Sequence, residues 1–381
     1  MLAWRLVHPV VRMPVAHHAH ERTAPIVQSP ISRPIARFHC TPHRKGVDSS
    51  PMPDATATHP EAIPSRGLAR SLVRLARPRQ WVKSGFVLVG PFYGLPDLLH
   101  EPRNLAFWWV MGVAAMAAAA FALASSGCYV FNDLADREAD KLHPRKCRRP
   151  IAAGHVSPGQ ARLFGLFLYA AAAAISLAIP IEFNQRLIVL AILVIYVLKE
   201  VAYSNYFKHK VVADVMSLSL GFVLRVGAGC AAVMVVPSDW LLTVTFFLSM
   251  YLAFGKRLGE RRTLAATGDG AAAAHRKVQE RYSDTSLEMF VAVTAVVTLV
   301  IYTLYVQEVS EFYTHGFNLL WITVIPTTYG LLRSFVLLDK GVYDDPTELA
   351  LRDRGCRAAG AAFVVLTIAL MAARTSGKWP W

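Results

Sequence analysis

The sequence predicts an all-α polytopic membrane protein of about nine transmembrane helices, and three observations carry that expectation. Of its 381 residues 54% are hydrophobic, yet the formal net charge is +14. So much apolar content in a basic chain suits a bilayer better than water. Nine apolar segments follow one another from residue 83 onward. The connections between them alternate between strongly basic and nearly free of basic residues, the asymmetry that orients membrane helices.

Residues 1–65 stand apart. They hold ten prolines between Pro9 and Pro64, and their only acids are Glu21, Asp48, Asp54 and Glu61. No periodic apolar face occurs there, so the segment reads as a disordered or targeting tail. The catalytic domain is expected over 66–381. Its apolar segments run over 83–99, 105–131, 161–181, 186–207, 211–234, 239–255, 286–306, 317–338 and 357–374. The first is the weakest, because Gly90-Pro91 and Pro96 interrupt it. Such breaks persist in bundles when neighbours satisfy the freed carbonyls.

Basic residues cluster after segments two, four, six and eight: Arg145 to Arg149, Lys208 and Lys210, Lys256 to Arg262, and Lys340. The other loops hold almost none. The tail and the even-numbered loops are therefore expected in the cytosol, with the C-terminus outside. Anionic lipid explains most such Lys and Arg, so this pattern fixes topology more than function. The five cysteines form no CxxC pair and are odd in number; unpaired thiols are expected, and neither a disulfide framework nor a zinc site.

Three constellations exceed topology. The first is Asn132-Asp133-Leu134-Ala135-Asp136-Arg137-Glu138-Ala139-Asp140, directly after segment two. Asn132, Asp136 and Asp140 are spaced i, i+4, i+8, and Asp133 falls on the same side. On a helix these form one stripe of oxygens. Helix capping is the bland alternative, but three acids so close repel unless a cation offsets them. Hard oxygen donors suit Mg²⁺, which usually arrives with substrate phosphates.

The second constellation, His143-Pro144-Arg145-Lys146-Cys147-Arg148-Arg149-Pro150, follows at once. Pro144 is expected to end the helix. Cations beside an Mg²⁺ site fit a leaving diphosphate, whose charge grows as its bond to carbon breaks. The third is Gly255-Lys256-Arg257-Leu258-Gly259-Glu260 at the end of segment six, with Lys208 at the same depth. Arg225 lies eleven residues from Asp214 on one face of segment five, and a buried arginine there needs an anionic partner. Lys199 and Glu200 sit within an apolar segment and receive no role. Asp345-Pro346-Thr347-Glu348 reads as a helix start with a capping box.

Asn132 to Asp140, followed by Arg149-Pro150-Ile151-Ala152-Ala153-Gly154, resembles the UbiA superfamily of intramembrane prenyltransferases. Within it the chain looks like the decaprenyl-phosphate phosphoribosyltransferases of cell-wall arabinan synthesis. Arg77-Pro78-Arg79-Gln80-Trp81-Val82-Lys83, Leu198 to Asp214, Gly255 to Glu260 and Leu351-Arg352-Asp353-Arg354 support that narrower match, from about residue 70 to the last helix. The resemblance implies a UbiA-like bundle around a cavity open to the cytosol and to lipid, in the cell membrane. It implies Mg²⁺-dependent transfer of 5-phosphoribose from phosphoribosyl diphosphate to a polyprenyl phosphate. It assigns Mg²⁺ and diphosphate to Asn132, Asp133, Asp136 and Asp140, and phosphates to Lys83, Lys146, Arg149, Lys208, Lys256 and Arg257. Arg225 and Glu260 complete the expected substrate-binding set.

Users of prenyl diphosphates typically carry a second aspartate cluster after segment six. Here Lys256, Arg257 and Glu260 stand in that place. A basic cluster binds a phosphate directly rather than through more Mg²⁺, which fits a donor with a remote second phosphate. The expected partners are that donor, the lipid phosphate and the bilayer. No nucleic acid is expected, and homo-oligomerisation is left undecided. Two rivals stand beside this reading. One is a prenyltransferase acting on an aromatic acceptor, which the missing second acid cluster opposes. The other is an anion transporter, whose sites usually lie at midplane on broken helices of repeated halves.

Overall fold

In the computed structural model, residues 67–99, 105–142, 146–267, 282–308, 318–343 and 346–376 are described. Among them there is no strand. Helix α1 (Leu68–Ala76) leads through Arg77, in the left-handed region at φ 54°, into a 3₁₀ stretch over Pro78–Leu88. Short helices α2 (Val89–Tyr93) and α3 (Leu95–Leu99) complete the first apolar segment. The segment is divided into short pieces before Val89 and at Gly94, with Pro91 and Pro96 in the first turns of α2 and α3, where a proline ring meets no preceding helical turn.

Eight helices among the described residues are long and apolar enough to cross a membrane, and the protein is a multi-pass membrane protein. They are built on α4 (Phe107–Ala135), α6 (Pro158–Ala178), α7 (Phe183–Asn205) with the 3₁₀ turn Phe207–His209, α8 (Ala213–Ala232), α9 (Asp239–Thr267), α10 (Asp284–Glu308), α11 (Val324–Asp339) with the 3₁₀ stretch Leu319–Thr323, and α13 (Arg354–Ser376). Between them lie the short helices α5 (Arg137–Lys141) and α12 (Pro346–Arg352). The broken stretch over 78–99 corresponds to the first of the nine apolar segments. Bulky side chains such as Leu163, Phe167, Val296 and Val365 remain exposed, as lipid-facing residues do.

The helix starts follow local chemistry. At α6, Pro158 takes the first position and Ser157 and Gln160 form a reciprocal capping box. Helix α12 starts at Pro346 as expected; Asp345, the anticipated cap, lies outside the described residues, as do Pro144 and residues 1–65. Asp353 does not approach the acidic stripe: it pairs with Arg333 through two bonds of 2.6 and 2.9 Å and accepts from the Cys356 amide. The Arg333 guanidinium holds the Asp353 carboxyl far below the usual range.

The two largest of five buried apolar clusters both draw on α8. One gathers Val113, Ala117 and Phe121 of α4 with Leu193 of α7 and Ala228 of α8. The other gathers Tyr251, Phe254 and Leu258 of α9 with Leu287 of α10 and Val215 of α8. The broken segment reaches α8 by bare backbone. A Cβ on Gly229 would stand 1.8 Å from the Val87 carbonyl oxygen, and one on Gly90 would stand 2.2 Å from Cys230 Sγ. Only glycine permits that approach.

One thiol departs from expectation. Cys147 is disulfide-bonded, whereas Cys128, Cys230 and Cys356 are free. An odd count forbids only that all five cysteines pair.

Candidate active site

The long helices alternate in direction, so the C-terminal ends of α4, α7, α9 and α11 share a face with the N-terminal ends of α8, α10 and α13. Ion pairs tie this face together: Asp136 to Lys208, Asp214 to Arg257, Arg262 to Asp284 and Asp339, and Arg333 to Asp353.

The acidic stripe forms here, but it resolves into two pairs. Helix α4 ends at Ala135 and α5 resumes at Arg137, with Asp136 between them at φ −86° and ψ 2°. The backbone stays helix-like, because the Asp136 amide donates to Asn132 and the Asp140 amide to Asp136. Asp133 and Asp140, 2% and 3% exposed, turn inward. Arg149 Nη1 bridges them at 2.9 and 2.7 Å, and Arg77 Nη2 adds a 2.5 Å contact to Asp133. Asn132 and Asp136 form the other pair, joined by a 3.2 Å hydrogen bond. Asp136 Oδ1 lies 3.3 Å from Lys208 Nζ, and this carboxylate is partly open to solvent.

Three cations thus offset the three carboxylates that would otherwise repel. Arg77 was legible only as part of a motif. Its role depends on a left-handed backbone conformation that no residue type announced. Glu138 is outside the group: it is exposed, and Lys141 and Arg137 lower its carboxyl below the usual range.

The donor chemistry of Asn132, Asp133, Asp136 and Asp140 fits a hard divalent ion. Among the described residues, however, no three acidic or thiol and imidazole groups converge closely enough to hold one unaided. The reason is geometric: Arg149 stands between Asp133 and Asp140. The donor set therefore suits an ion that brings phosphate oxygens to complete its shell, the usual habit of Mg²⁺.

The other expected residues divide. Lys146 is half-buried in the 3₁₀ turn Lys146–Arg148, and Lys83 is exposed on the Pro78–Leu88 stretch. Lys256 and Glu260 are half-buried one turn apart on α9. Arg257 is placed otherwise than expected. It is 4% exposed and paired with the buried Asp214. Tyr282 completes this knot: its hydroxyl donates to Asp214 Oδ1 at 3.2 Å and accepts from the Val212 amide at 2.6 Å and from Arg257 at 3.3 Å. Burial pushes the Tyr282 hydroxyl's pKa up. Val212 sits at φ 67°, a strained conformation for a β-branched residue, and the bond its amide donates to the Tyr282 hydroxyl restrains it. These contacts tie Arg257 to the start of α8, which adjoins the Phe207–His209 turn that carries Lys208.

Tyr282→Phe tests that role. It strips the Val212 amide of its partner and should cost about 1–3 kcal/mol, seen as a lower melting temperature in detergent. A variant as stable as wild type would show that the knot is dispensable.

Arg225 also departs from expectation. Its partners are neutral oxygens of Gly221, Ser125 and Tyr196, and Asp214 is engaged by Arg257. An apolar cavity of about 1140 Å³ is lined by residues including Phe86, Tyr93, Leu248, Tyr251, Tyr302 and Phe363, and reaches Pro346 and Cys356 beside the charged face. It exceeds the roughly 300–1,000 Å³ usual for small-molecule sites.

Comparison with known proteins places this arrangement. The model of the UbiA prenyltransferase family matches residues 88–352. A decaprenyl-phosphate phosphoribosyltransferase of Mycolicibacterium smegmatis is 33% identical over 313 residues, covering 79% of this chain and 93% of that protein. The enzyme of the same name from Corynebacterium glutamicum is 30% identical over 332 residues, covering 86% of this chain and 95% of its own. Among solved structures, a UbiA homologue from Archaeoglobus fulgidus bound to DMAPP and Mg²⁺ superimposes with a TM-score of 0.54 at 17% identity. That match covers 79% of this chain and 99% of the other.

Proposed function

The chain belongs to the UbiA prenyltransferase family of membrane transferases, and from that premise we propose that it transfers 5-phosphoribose from phosphoribosyl diphosphate to a polyprenyl phosphate, releasing diphosphate. The observation that carries this reading is the charge inventory. A single acidic stripe is matched by Arg77, Arg149 and Lys208, and Lys256 stands where a user of prenyl diphosphate would need a second acidic stripe. The relatives named above, decaprenyl-phosphate phosphoribosyltransferases, support transfer of a phosphoribosyl group to decaprenyl phosphate.

In this mechanism Asn132 and Asp136, with Asp133 and Asp140 behind them, would hold Mg²⁺. When bound, the ion would neutralise charge on the departing diphosphate. Lys208, Lys146 and Arg149 hold the diphosphate oxygens at the cytosolic mouth. Lys83 and Lys256 attract the phosphate of the lipid. An oxygen of that phosphate attacks C1 of ribose, a new C1–O bond forms, and the old C1–O bond breaks with its electron pair leaving on diphosphate. C1 is inverted. The attacking oxygen is already anionic, so no general base is required. Positioning and electrostatics supply the acceleration, and the apolar cavity accommodates isoprenoid chain. The product is a lipid-linked pentose phosphate of the kind that cell-wall arabinan synthesis consumes.

The test is a membrane assay with radiolabelled phosphoribosyl diphosphate and decaprenyl phosphate. Label should move into the organic-soluble lipid, with the mass of a phosphoribosyl adduct. Failure of the wild-type protein to label the lipid would reject the reading.

A further inference from the structure

Arg225 is 4% exposed in the middle of α8. Its Nη1 donates to the Gly221 carbonyl at 2.9 Å, and its Nη2 donates to the Ser125 and Tyr196 hydroxyls at 3.0 and 2.8 Å. Its Nε is buried and has no hydrogen-bond partner. Across the helix, Lys199 Nζ bonds Glu200 at 2.5 Å. A Cβ built on Gly221 would lie 2.8 Å from Lys199 Nζ and 3.5 Å from Arg225 Nη1. The two cations therefore meet over the bare face of Gly221, and both flank the Tyr196 ring, at 5.1 and 4.6 Å.

Of these two cations, Lys199 has a carboxylate partner in Glu200, and Arg225 bonds only neutral oxygens. The other acid of this region, Asp214, is taken by Arg257. An uncompensated positive charge inside a membrane span is costly and marks a place for an anion. The unused Nε is a donor already aimed and desolvated. Toward the acidic stripe, Arg77, which holds Asp133, lies 5.0 Å over the Tyr129 ring. Ser125 and Asp133 are eight residues apart on α4, roughly 12 Å of helix.

We propose that Lys199 and Arg225 form the subsite for the donor's 5-phosphate and set the requirement for a phosphorylated pentose. The inference rests on the phosphoribosyl-transfer reading. The diphosphate end would lie at Asp133, Asp136 and Asp140, and the monoester end deeper, beside the unpartnered Arg225 Nε, with Lys199 Nζ drawing back from Gly221 to admit it. Lys199 thus gains a role that its position alone did not reveal.

The experiment offers wild type and variants either phosphoribosyl diphosphate or ribose 1-diphosphate, with decaprenyl phosphate as acceptor. Wild type should favour the phosphorylated donor about 100-fold in kcat/KM, the usual scale for rejecting a ligand that leaves buried charged groups unpaired. Lys199→Gln and Arg225→Lys should each raise KM for phosphoribosyl diphosphate about 10- to 100-fold, with kcat/KM for ribose 1-diphosphate nearly unchanged. Gly221→Ala, which crowds both cations, should move the same KM. Absence of donor preference in wild type overturns the proposal without any variant. Equal losses for both donors indicate a structural role and overturn it as well. So does a rise confined to the KM for decaprenyl phosphate, which would give the pair to the lipid phosphate. If wild type labels no lipid from either donor, the parent reading fails. Calorimetry with ribose 5-phosphate and purified protein then decides the subsite separately: binding by wild type that is lost in Lys199→Gln sustains it, and equal binding or none overturns it.

Discussion

Asp136→Ala should lower kcat/KM for phosphoribosyl transfer by about 10²–10³-fold, the scale on which loss of one preorganised electrostatic group is felt, while leaving the fold nearly intact. The two halves of this expectation come from one geometry. Asp136 is the acid of the stripe least committed to the fold. Its side chain is 35% exposed, and its cation, Lys208, is 3.3 Å away and 28% exposed. Partly solvated pairs of that kind contribute about 1 kcal/mol or less to stability. Asp133 and Asp140 are buried and bridged by Arg149, so replacing either confounds chemistry with folding. Asp136 can instead turn to a metal-bound diphosphate with little lost elsewhere. Activity and melting temperature measured on the same detergent preparation separate the two effects. Undiminished lipid labelling, or a loss of activity matched by unfolding, would remove Asp136 from the site.

The fold was legible because its signals are long and repeated. Segments of twenty or so apolar residues, with basic loops on one side only, leave little choice of architecture. The broken first segment was legible as well, since Pro91 and Pro96 are tolerated in a first helical turn but not in a helix interior. Of the site, sequence spacing placed Asn132 to Asp140 on one helical run but could not show that Arg149 parts Asp133 from Asp140. Spacing fixes which backbone positions share a face, whereas side chains follow the nearest compensating charge. Arg257 illustrates the limit. Its place at a helix end matched a phosphate ligand, yet Asp214, forty-three residues earlier, claims it inside the bundle. Tyr282 and Tyr196 gave no signal at all. Their roles arise from hydroxyls meeting partners on other helices, and a single tyrosine in an apolar segment has no period to reveal it.

Arg149→Met should be the most destabilising single change at the site, costing about 3 kcal/mol or more. Breaking a buried ion pair by removing one partner usually costs about 3–5 kcal/mol, because the other charge stays buried and unpaired. Arg149 is 26% exposed, which argues for the lower end, but it serves two carboxylates that are only 2% and 4% exposed in their side chains. Asp133 keeps Arg77, so the main penalty falls on Asp140 and on its repulsion by Asp133. A second substitution that removes the Asp140 charge should therefore recover stability. Arg149→Met with Asp140→Asn is expected to melt above Arg149→Met alone, a non-additivity of the sign that a shared contact produces. A divalent ion should act in the same direction, since it can replace the guanidinium between the carboxylates. Adding Mg²⁺ should raise the melting temperature of Arg149→Met more than that of wild type, in which Arg149 already holds that place. A double variant less stable than the single one would show that Arg149 stabilises the bundle by packing rather than by charge. Equal responses to Mg²⁺ in wild type and Arg149→Met would show that metal and arginine do not compete for Asp133 and Asp140.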